Sequence, residues 1–355
     1  MELTDLGFDA WFEGHAASLA KSGRTIARVT AVDKGAFVVR TLSAELHAKL
    51  AGRVRFHAQS PMDFPSVGDW VLIRESSSGG PALIDETLPR RTCLRRKKSG
   101  KSTDVQMIAA NIDVAFIVQA CQQDFNIPRL DRYLVMAKDG DIEPQIILSK
   151  TDLISEEELT QRIDEIRSSG IAANILPLSN TTGQGLNEVR DLLAPGKSYC
   201  LIGSSGVGKT TLLNCLVGHD AFDTQALGSA GKGMHTTSRR HLTMLDCGAM
   251  LIDTPGMREL GIVGGDDGVK SGFEEFDQFA PNCRYADCSH EHEPGCGVRA
   301  AIESGELDEE RYASYVKLKK ESEHHGMSRL DKRKKDRTFG RFIKSTKKRK
   351  GNREG

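Results

Sequence analysis

One glycine-rich stretch has the residue types and spacing of a phosphate-binding loop. Gly203-Ser-Ser-Gly-Val-Gly-Lys209-Thr210 matches the pattern G-x-x-x-x-G-K-[ST] and lies between an apolar segment and a helix-like segment. Its glycines let successive backbone N–H groups converge on a phosphate, and the following helix N-terminus adds partial positive charge. Lys209 is expected to bridge the β- and γ-phosphates, Thr210 to hold Mg²⁺ and Thr211 to reach the α-phosphate. The predicted phosphate contacts are Gly203, Ser204, Ser205, Gly206, Val207, Gly208, Lys209, Thr210 and Thr211.

A second motif, Asp253-Thr-Pro-Gly256, has the D-x-x-G pattern that senses a γ-phosphate. Because it ends an apolar segment about fifty residues after the phosphate loop, we expect Asp253 in the Mg²⁺ shell and the Gly256 N–H at the γ-phosphate. Between the two motifs lies Gly231-Lys-Gly-Met-His235-Thr-Thr237, the candidate switch segment. We take Thr237 as its Mg²⁺ ligand, with Thr236 as the alternative.

Guanine selection is predicted upstream, in Ser149-Lys150-Thr151-Asp152, which ends another apolar run. The Asp152 carboxylate can accept two hydrogen bonds from N1–H and the 2-amino group of guanine, a donor pair that adenine lacks. The stem of Lys150 would cover the base, and Ser179 would supply a second loop. Ser149 stands where the usual N-K-x-D motif has Asn, so we expect weaker nucleotide binding with the guanine preference kept.

The order of these motifs is informative. In an ordinary GTPase the guanine motif follows the phosphate loop and the D-x-x-G, whereas here it precedes both. The set is complete but rotated, which predicts a circularly permuted GTPase.

The central region alternates apolar segments with helix-like segments, as in a mainly parallel sheet covered by helices on both faces. Ser155-Glu-Glu-Glu158 has the pattern of a capping box that opens a helix ending near Gly170. Each candidate motif follows a predicted strand, and in such sheets ligands bind at the carboxyl ends of the strands. The predicted strands are 113–119, 145–148, 173–178, 199–202, 241–245 and 249–252.

Upstream of this region, residues 24–88 predict a small β-barrel similar to an OB-fold. Three short β-rich segments, 25–32, 35–40 and 67–73, are separated by Gly and Pro. Many short strands with glycine-rich turns are typical of such barrels, which often bind oligonucleotides. No row of aromatic residues for base stacking is visible.

Cys283, Cys288, His290 and Cys296 supply three thiols and an imidazole within fourteen residues. Four such ligands close a tetrahedral zinc shell with no open position, which predicts one structural Zn²⁺. His292 is a rival ligand to His290. The modest core available to residues 270–355 makes a metal staple physically necessary there.

The net charge of zero conceals a strong asymmetry. From Lys317 onward there are 16 Lys and Arg against 5 Asp and Glu, so the rest of the chain carries an excess of 11 negative charges. A second cluster, 89–101, has seven positive charges and no negative one. Two basic stretches suggest that the protein contacts a phosphate backbone at more than one place. The alternative is a solvated tail without a partner.

Targeting and membrane signals are missing from the composition. We expect no secretory signal, and the strongest central apolar run, 114–118, is too short for a membrane span. Five cysteines are scattered singly and predict small buried side chains in a reduced, cytoplasmic protein: Cys93, Cys121, Cys200, Cys215 and Cys247.

Over residues 20–320 the chain resembles the RsgA/YjeQ family of circularly permuted GTPases. The resemblance rests on the rotated motif order, on the segments 231–237 and 253–260, and on the cysteine segment 283–296 with its Glu-Pro-Gly before the last Cys. It implies slow GTP hydrolysis that the small ribosomal subunit stimulates, and a role in late maturation of that subunit. Ser149 and Met257 depart from the family pattern, as a second, diverged copy of the factor would.

Met257 leaves no Gln after the D-x-x-G motif to orient the attacking water. The resemblance implies His235 as the substitute; a solvent-facing loop histidine is the alternative. We therefore expect a multidomain monomer with a barrel domain over 1–95, a permuted GTPase domain over 96–265 and a zinc-binding domain with helices and a basic tail over 266–355. The alternative function is a GTP-sensing RNA-binding module that does not hydrolyse.

Overall fold

A single eleven-stranded sheet runs through the barrel and the GTPase region. The computed structural model describes residues 2–19, 23–33, 35–76, 79–97, 105–122, 125–218, 240–253 and 266–326. The strand order is β10-β9-β8-β11-β13-β12-β1-β2-β3-β5-β4. The strands are β1 Thr25–Asp33, β2 Ala36–Arg40, β3 Glu45–Leu50, β4 Trp70–Arg74, β5 Ala82–Thr87, β6 Cys93–Lys97, β7 Val105–Ala110, β8 Val114–Ala120, β9 Glu143–Ser149, β10 Asn174–Leu178, β11 Ser198–Ile202, β12 Arg240–Met244 and β13 Met250–Asp253.

Nine α-helices accompany these strands in the described part of the chain. They are α1 Ala10–Leu19, α2 Gly52–His57, α3 Ile127–Asp139, α4 Glu156–Ser168, α5 Leu186–Asp191, α6 Lys209–Val217, α7 Asp266–Gly272, α8 Gly297–Glu303 and α9 Glu309–Gly326. None of the helices among these residues combines the length and apolar composition that crossing a membrane requires.

β1 to β5 close into the predicted barrel. β4 pairs with β5 on one side and returns to β1 on the other, which closes the five strands. Ala27 and Val29, two positions apart on β1, are fully buried in the barrel core beside Val71 and Ile73 of β4. This period of two is the spacing of side chains that point to one face of a strand. The OB-like barrel is confirmed.

The GTPase half is a parallel sheet with one antiparallel strand. β10, β9, β8, β11 and β13 run parallel, and β12 pairs antiparallel with β13. Phe116, Ile117 and Val118 of β8 are at most 1% exposed, because apolar clusters cover both faces of the sheet. The capping box is present, since Ser155 and Glu158 exchange hydrogen bonds at the start of α4.

Arg28 joins the barrel to the GTPase half at the seam between β1 and β12. Its guanidinium donates to the carbonyl oxygens of Gly68, Asn111 and Leu6 and to Ser198 Oγ on β11. The side chain is 2% exposed, and burial lowers the pKa of Arg28 to about 10. One buried cation therefore ties together the N-terminal segment, the barrel and the central sheet.

The region after residue 266 packs on α3 through an apolar cluster. Phe273, Phe276 and Tyr315 stack edge to face, with Val135 of α3 and Leu318 of α9 in the same cluster. Arg311 of α9 bonds the carboxylate of Asp131 on α3 and also Glu275 Oε1 at 2.7 Å. The C-terminal helices are thus held against the first helix of the GTPase half.

The scattered cysteines only partly match the prediction. Cys121 and Cys200 are buried, and burial raises the pKa of these thiols to about 11 and about 12, so both stay protonated. Cys93 and Cys215 are half-buried. The prediction is wrong for Cys247, which is exposed in the tight turn between β12 and β13.

Candidate nucleotide and metal sites

The candidate nucleotide motifs meet at one edge of the parallel sheet. Ser149 is the last residue of β9, Ser179 follows β10, Gly203 follows β11, and Asp253 is the last residue of β13. These four strands run in the same direction, so their carboxyl ends meet at one edge. The structure therefore brings together the described motifs that the sequence placed far apart.

The phosphate loop has a backbone that its glycines make possible. Gly203, Gly206 and Gly208 have φ angles of 150°, 82° and 96°, in the region that side chains disfavour. A Cβ on Gly203 would lie 2.2 Å from the Val118 carbonyl oxygen, so only glycine fits beside β8. Val207 is buried and anchors the loop, while Ser205 and Gly206 are exposed at its tip.

The residues after the loop open α6. Lys209 is its first residue, and its Nζ curls back to donate to the carbonyl oxygens of Gly203 (2.8 Å) and Ser204. Thr210 and Thr211 follow in the first turn and are exposed. An ammonium group above the loop, next to a helix N-terminus, forms a positive concave surface of the kind that binds phosphates.

The guanine motif is held by Ser179. Its hydroxyl donates to Asp152 Oδ1 at 2.6 Å and accepts from the backbone N–H groups of Thr181 and Thr182. Ser179 is fully buried, whereas Asp152 is exposed. Lys150 has a left-handed φ of 62°. The chain therefore turns at this residue, and Thr151 and Asp152 leave the direction of β9. The Asp152 carboxylate is therefore fixed in orientation and open to a ligand.

Ser149 connects the guanine motif to the phosphate loop. It is fully buried, and its hydroxyl lies 2.6 Å from the Val207 carbonyl oxygen and 3.3 Å from that of Gln119. The shorter contact is the stronger hydrogen bond. Despite its length, Ser at this position reaches the neighbouring loop.

Two further residues at this site had no assigned role in the sequence. Asn180 Nδ2 donates to the Gly208 carbonyl oxygen at 3.1 Å, and its buried Oδ1 has no partner in the described structure. Arg129, in the first turn of α3, donates from Nη1 to Ser204 Oγ at 3.3 Å. No sequence motif includes either residue, because Asn180 follows β10 and Arg129 lies on α3, and each meets the phosphate loop only in the folded protein.

Part of the predicted site falls outside the described residues. Asp253 is described and pairs with His241 across β12 and β13. Gly256, His235 and Thr237 lie outside the ranges that the structure describes.

The cysteine cluster has the geometry of a four-ligand metal site. The ligand atoms of Cys283, Cys288, His290 and Cys296 all lie within 4.8 Å of one another. Cys283 Sγ and Cys296 Sγ are 3.9 Å apart, and each lies 3.5 Å from His290 Nδ1. Tetrahedral zinc with Zn–S bonds of about 2.3 Å requires sulfur atoms about 3.8 Å apart. The residues fit the metal in number, donor type and separation.

The surroundings favour His290 over its rival. Burial lowers the pKa of His290, which keeps the imidazole neutral as metal binding requires. Tyr312 Oη of α9 donates to the His290 carbonyl oxygen at 2.7 Å and fixes this turn. His292 points outward with its side chain 90% exposed. The cluster therefore contains His290 and leaves His292 out.

The basic cluster 89–101 is partly engaged within the protein. Arg90 donates to Asp69 and to two backbone carbonyl oxygens, and Arg95 donates to Asp139 of α3. Arg91 pairs with Asp9 and Asp113. These three cations have partners within the fold, and the prediction that the cluster 89–101 contacts a phosphate backbone stays a prediction.

Comparison with known proteins identifies the family. The family model described as RsgA GTPase matches residues 87–263. The chain is 39% identical over 331 residues to "Small ribosomal subunit biogenesis GTPase RsgA" of Opitutus terrae, covering 90% of each protein. It is also 39% identical to "Small ribosomal subunit biogenesis GTPase RsgA 2" of Lactiplantibacillus plantarum, covering 91% of this chain and 92% of that one.

The chain belongs to the RsgA GTPase family. Among solved structures it is similar to YjeQ from Thermotoga maritima, with a TM-score of 0.65, 27% identity, and coverage of 86% of this chain and 100% of that one. It shares the fold of YloQ, described as a circularly permuted GTPase, with a TM-score of 0.62 at 22% identity and coverage of 86% and 98%. The predictions of a permuted GTPase fold and of GTP hydrolase activity are confirmed.

Proposed function

We propose that this GTPase binds the small ribosomal subunit and its rRNA, acts in late maturation of that subunit, and hydrolyses GTP to GDP and phosphate when the subunit stimulates it. The observation that carries the proposal is the 39% identity over about nine-tenths of the chain to relatives named for small-subunit biogenesis. The meeting of the permuted nucleotide motifs at one sheet edge supports the same activity.

For the base, we propose contacts in which Asp152 accepts from N1–H and the 2-amino group of guanine. The hydrogen bond from Ser179 supports this role, because it fixes the carboxylate while leaving Asp152 exposed. Lys150 would cover the base plane, and the Ser149 bond to Val207 would hold the base-binding and phosphate-binding loops in register. Thr151 is buried beneath this turn and supports its shape.

For the phosphates, we propose contacts with the backbone N–H groups of 203–208, with Lys209, and with Thr210 and Thr211. Lys209 would exchange its two loop carbonyl partners for β- and γ-phosphate oxygens. Mg²⁺ bound at Thr210 and Thr237 would neutralise charge that develops on the transferred phosphoryl group. Asp253 is assigned to the Mg²⁺ shell and Gly256 to the γ-phosphate. We assign His235 to the orientation of the attacking water.

We propose that Cys283, Cys288, His290 and Cys296 hold one Zn²⁺ with a structural role. A closed set of four protein ligands leaves no position for a substrate. The proposed domain limits remain 1–95, 96–265 and 266–355. Strand β6, Cys93–Lys97, spans the boundary between the first and second of these domains. We further propose that the protein acts in the cytoplasm, as a monomer.

The deciding experiment measures phosphate release from GTP and from ATP, alone and with purified small or large subunits. We expect slow release from GTP alone, faster release with small subunits, little effect of large subunits, and little release from ATP. Lys209→Ala should abolish the stimulated rate. If the protein binds small subunits in a GTP-dependent way but releases no phosphate, the non-hydrolysing module is the correct function.

A further inference from the structure

A polar cleft lies between α3 of the GTPase half and α9 of the C-terminal region. Its volume is about 270 Å³, and its polar lining comes from Asn126, Arg129 and Arg132 on one side and Ser314 and Lys317 on the other. It opens where the ion pair of Arg132 with Glu321, at 2.8 Å, joins the two helices. The cleft is therefore built by the same packing that holds the two regions together.

The charge of the cleft favours an anion. Arg129, Arg132 and Lys317 converge on it, and none of the described residues lining it is acidic. Glu321 balances one of these charges. Lys317 is exposed, and within the described ranges it makes no hydrogen bond or ion pair. With Glu321 counted against Arg132, the three cations still leave a positive charge at the cleft, so an anion that entered it would be attracted.

The donor types favour a phosphate group. Two guanidinium groups present planar forks that match phosphate oxygens, and Lys317 adds a mobile point charge. Asn126 caps α3, whose N-terminus adds partial positive charge at the cleft. Lys317 is also the first of the 16 Lys and Arg in the strongly basic C-terminal stretch.

The cleft is also linked to the phosphate loop. Arg129 lines the cleft and donates from Nη1 to Ser204 Oγ at 3.3 Å. A phosphate drawn to Arg129 would change the position or the strength of this contact. Ser204 is the residue after Gly203 in the phosphate loop, next to the backbone N–H groups that we expect to hold the phosphates. An anion bound by Arg129 therefore acts on the loop itself through the Ser204 side chain.

We propose that this cleft binds a phosphodiester group of the RNA backbone and that Arg129 transmits its binding to the phosphate loop. The inference rests on the proposed function, since it takes the RNA to be that of the small subunit. In this scheme, RNA binding in the cleft stimulates hydrolysis through Arg129, a residue that belongs to none of the nucleotide motifs. Arg129 is a positioning residue in this scheme and Lys317 a binding residue.

The first experiment uses the full-length protein and the variants Lys317→Ala and Lys317→Glu. The control is Lys320→Glu on the same helix, because Lys320 pairs with Glu291 away from the cleft. We expect Lys317→Glu to weaken small-subunit binding about tenfold and to reduce the slope of log affinity against log salt by roughly one. Its GTP turnover in the presence of small subunits should fall. Wild-type stimulation and salt slope in Lys317→Glu would overturn the proposal.

The second experiment separates RNA from free phosphate. The Nε–Hε resonances of Arg129 and Arg132 are followed while a short RNA duplex or inorganic phosphate is added. We expect RNA to shift both resonances at micromolar concentration and inorganic phosphate to compete only at millimolar concentration. Shifts caused by inorganic phosphate alone would overturn the RNA assignment. If wild-type protein neither binds nor responds to small subunits, the proposed function fails, and the RNA titration still tests the cleft.

The third experiment tests transmission through Arg129. Arg129→Ala should keep small-subunit affinity within about threefold of the wild type, because two of the three cations remain. The ratio of stimulated to unstimulated GTP turnover should fall at least about tenfold, whereas Arg129→Lys should recover part of it through the retained charge. An unchanged ratio in Arg129→Ala would show that the cleft does not communicate with the phosphate loop.

Discussion

Ser149 is the residue whose sequence interpretation changes most in the structure. A shorter side chain than Asn predicted weaker support of the neighbouring loops, yet its hydroxyl reaches the Val207 carbonyl oxygen at 2.6 Å. Ser149→Ala would leave that buried acceptor without its donor, at a cost of about 1–3 kcal/mol. We expect GTP and GDP affinity to fall about tenfold or more in this variant, measured by calorimetry. Ser66→Ala is the control for the loss of a buried hydroxyl, because Ser66 Oγ donates to the carbonyl oxygen of Ile108 and not to the nucleotide loops. Equal affinities of Ser149→Ala and wild type would contradict the role of the hydrogen bond.

Asp152 is the residue that we propose selects the base. Asp152→Asn removes a charged double acceptor while keeping its size, so the site should accept xanthine nucleotides in place of guanine nucleotides. Discrimination that rests on buried hydrogen bonds is commonly on the order of 10⁴-fold. Competition between GTP and XTP measures the change, and Asp164→Asn, an exposed acid on α4, is the matched control. A retained preference for GTP in Asp152→Asn would show that another residue reads the base.

Residues inside motifs were predictable because their chemistry depends on local spacing. The glycines of 203–208, Asp152 and the four metal ligands all stand in patterns that a single segment or a short stretch of chain defines. Asn180 and Arg129 were not predictable as contacts, since each reaches the phosphate loop from another element. Arg90 shows the converse, because a basic residue in a basic run proved to be an internal partner of Asp69.

At the scale of elements, burial on both faces made strands easy to predict. β8 and β11 are continuous apolar runs, as expected of central parallel strands. β3 and β5 of the barrel were missed, because their exposed faces carry residues such as Glu45, Lys49 and Glu86. Barrel strands pair with neighbours far apart in sequence, such as β3 with β5, so local patterns indicate them weakly.

The cysteine segment 283–296 is the element that we expect to depend most on a bound ligand. Cys288→Ser should remove one of the four donors and lower the zinc content from about one ion per chain to near zero. Because this segment packs through a small apolar cluster, loss of the metal should unfold roughly residues 270–320 while GTP binding persists. Metal analysis and hydrogen exchange provide the measurements. Cys247→Ser, an exposed cysteine outside the cluster, is the control, and full zinc content in Cys288→Ser would exclude the site.

At the scale of the whole molecule, two buried arginines join regions that the sequence presents as separate. Arg28 bonds the barrel to the central sheet, and Arg311 bonds α9 to α3 through Asp131. Neither stands in a motif, and nothing in its local sequence distinguishes it from a surface arginine. The order of the regions along the chain could be predicted, whereas the contacts between them required the three-dimensional packing.

The last prediction concerns the contact of Arg311 on α9 with Asp131 on α3, called the Arg311 joint below. Asp253 is followed 13 positions later by the start of α7, and α7 packs on both α3 and α9. A γ-phosphate that orders the end of β13 should therefore bias the C-terminal region, and with it the affinity for small subunits. We expect wild-type protein to bind small subunits about tenfold more tightly with a non-hydrolysable GTP analogue than with GDP, a typical coupling between two sites.

Replacing Arg311 and Asp131 by apolar residues should uncouple the end of β13 from the C-terminal region. In Asp131→Leu/Arg311→Met, a buried ion pair gives way to side chains of similar size, a change that is often neutral for stability. Arg311 also bonds Glu275, but burial raises the pKa of Glu275 to about 7, so this carboxylate can take up a proton once Arg311 is lost. Zinc content and GTP affinity should stay near wild type, while the difference between the GTP-analogue and GDP states in cosedimentation at fixed salt shrinks towards none. Deleting residues 327–355 is the contrasting control, because loss of basic residues should weaken binding in both states and flatten its salt dependence but keep the difference. Equal affinity of the wild type in the two nucleotide states would refute the coupling, and an unchanged difference in the double variant would place it outside the Arg311 joint.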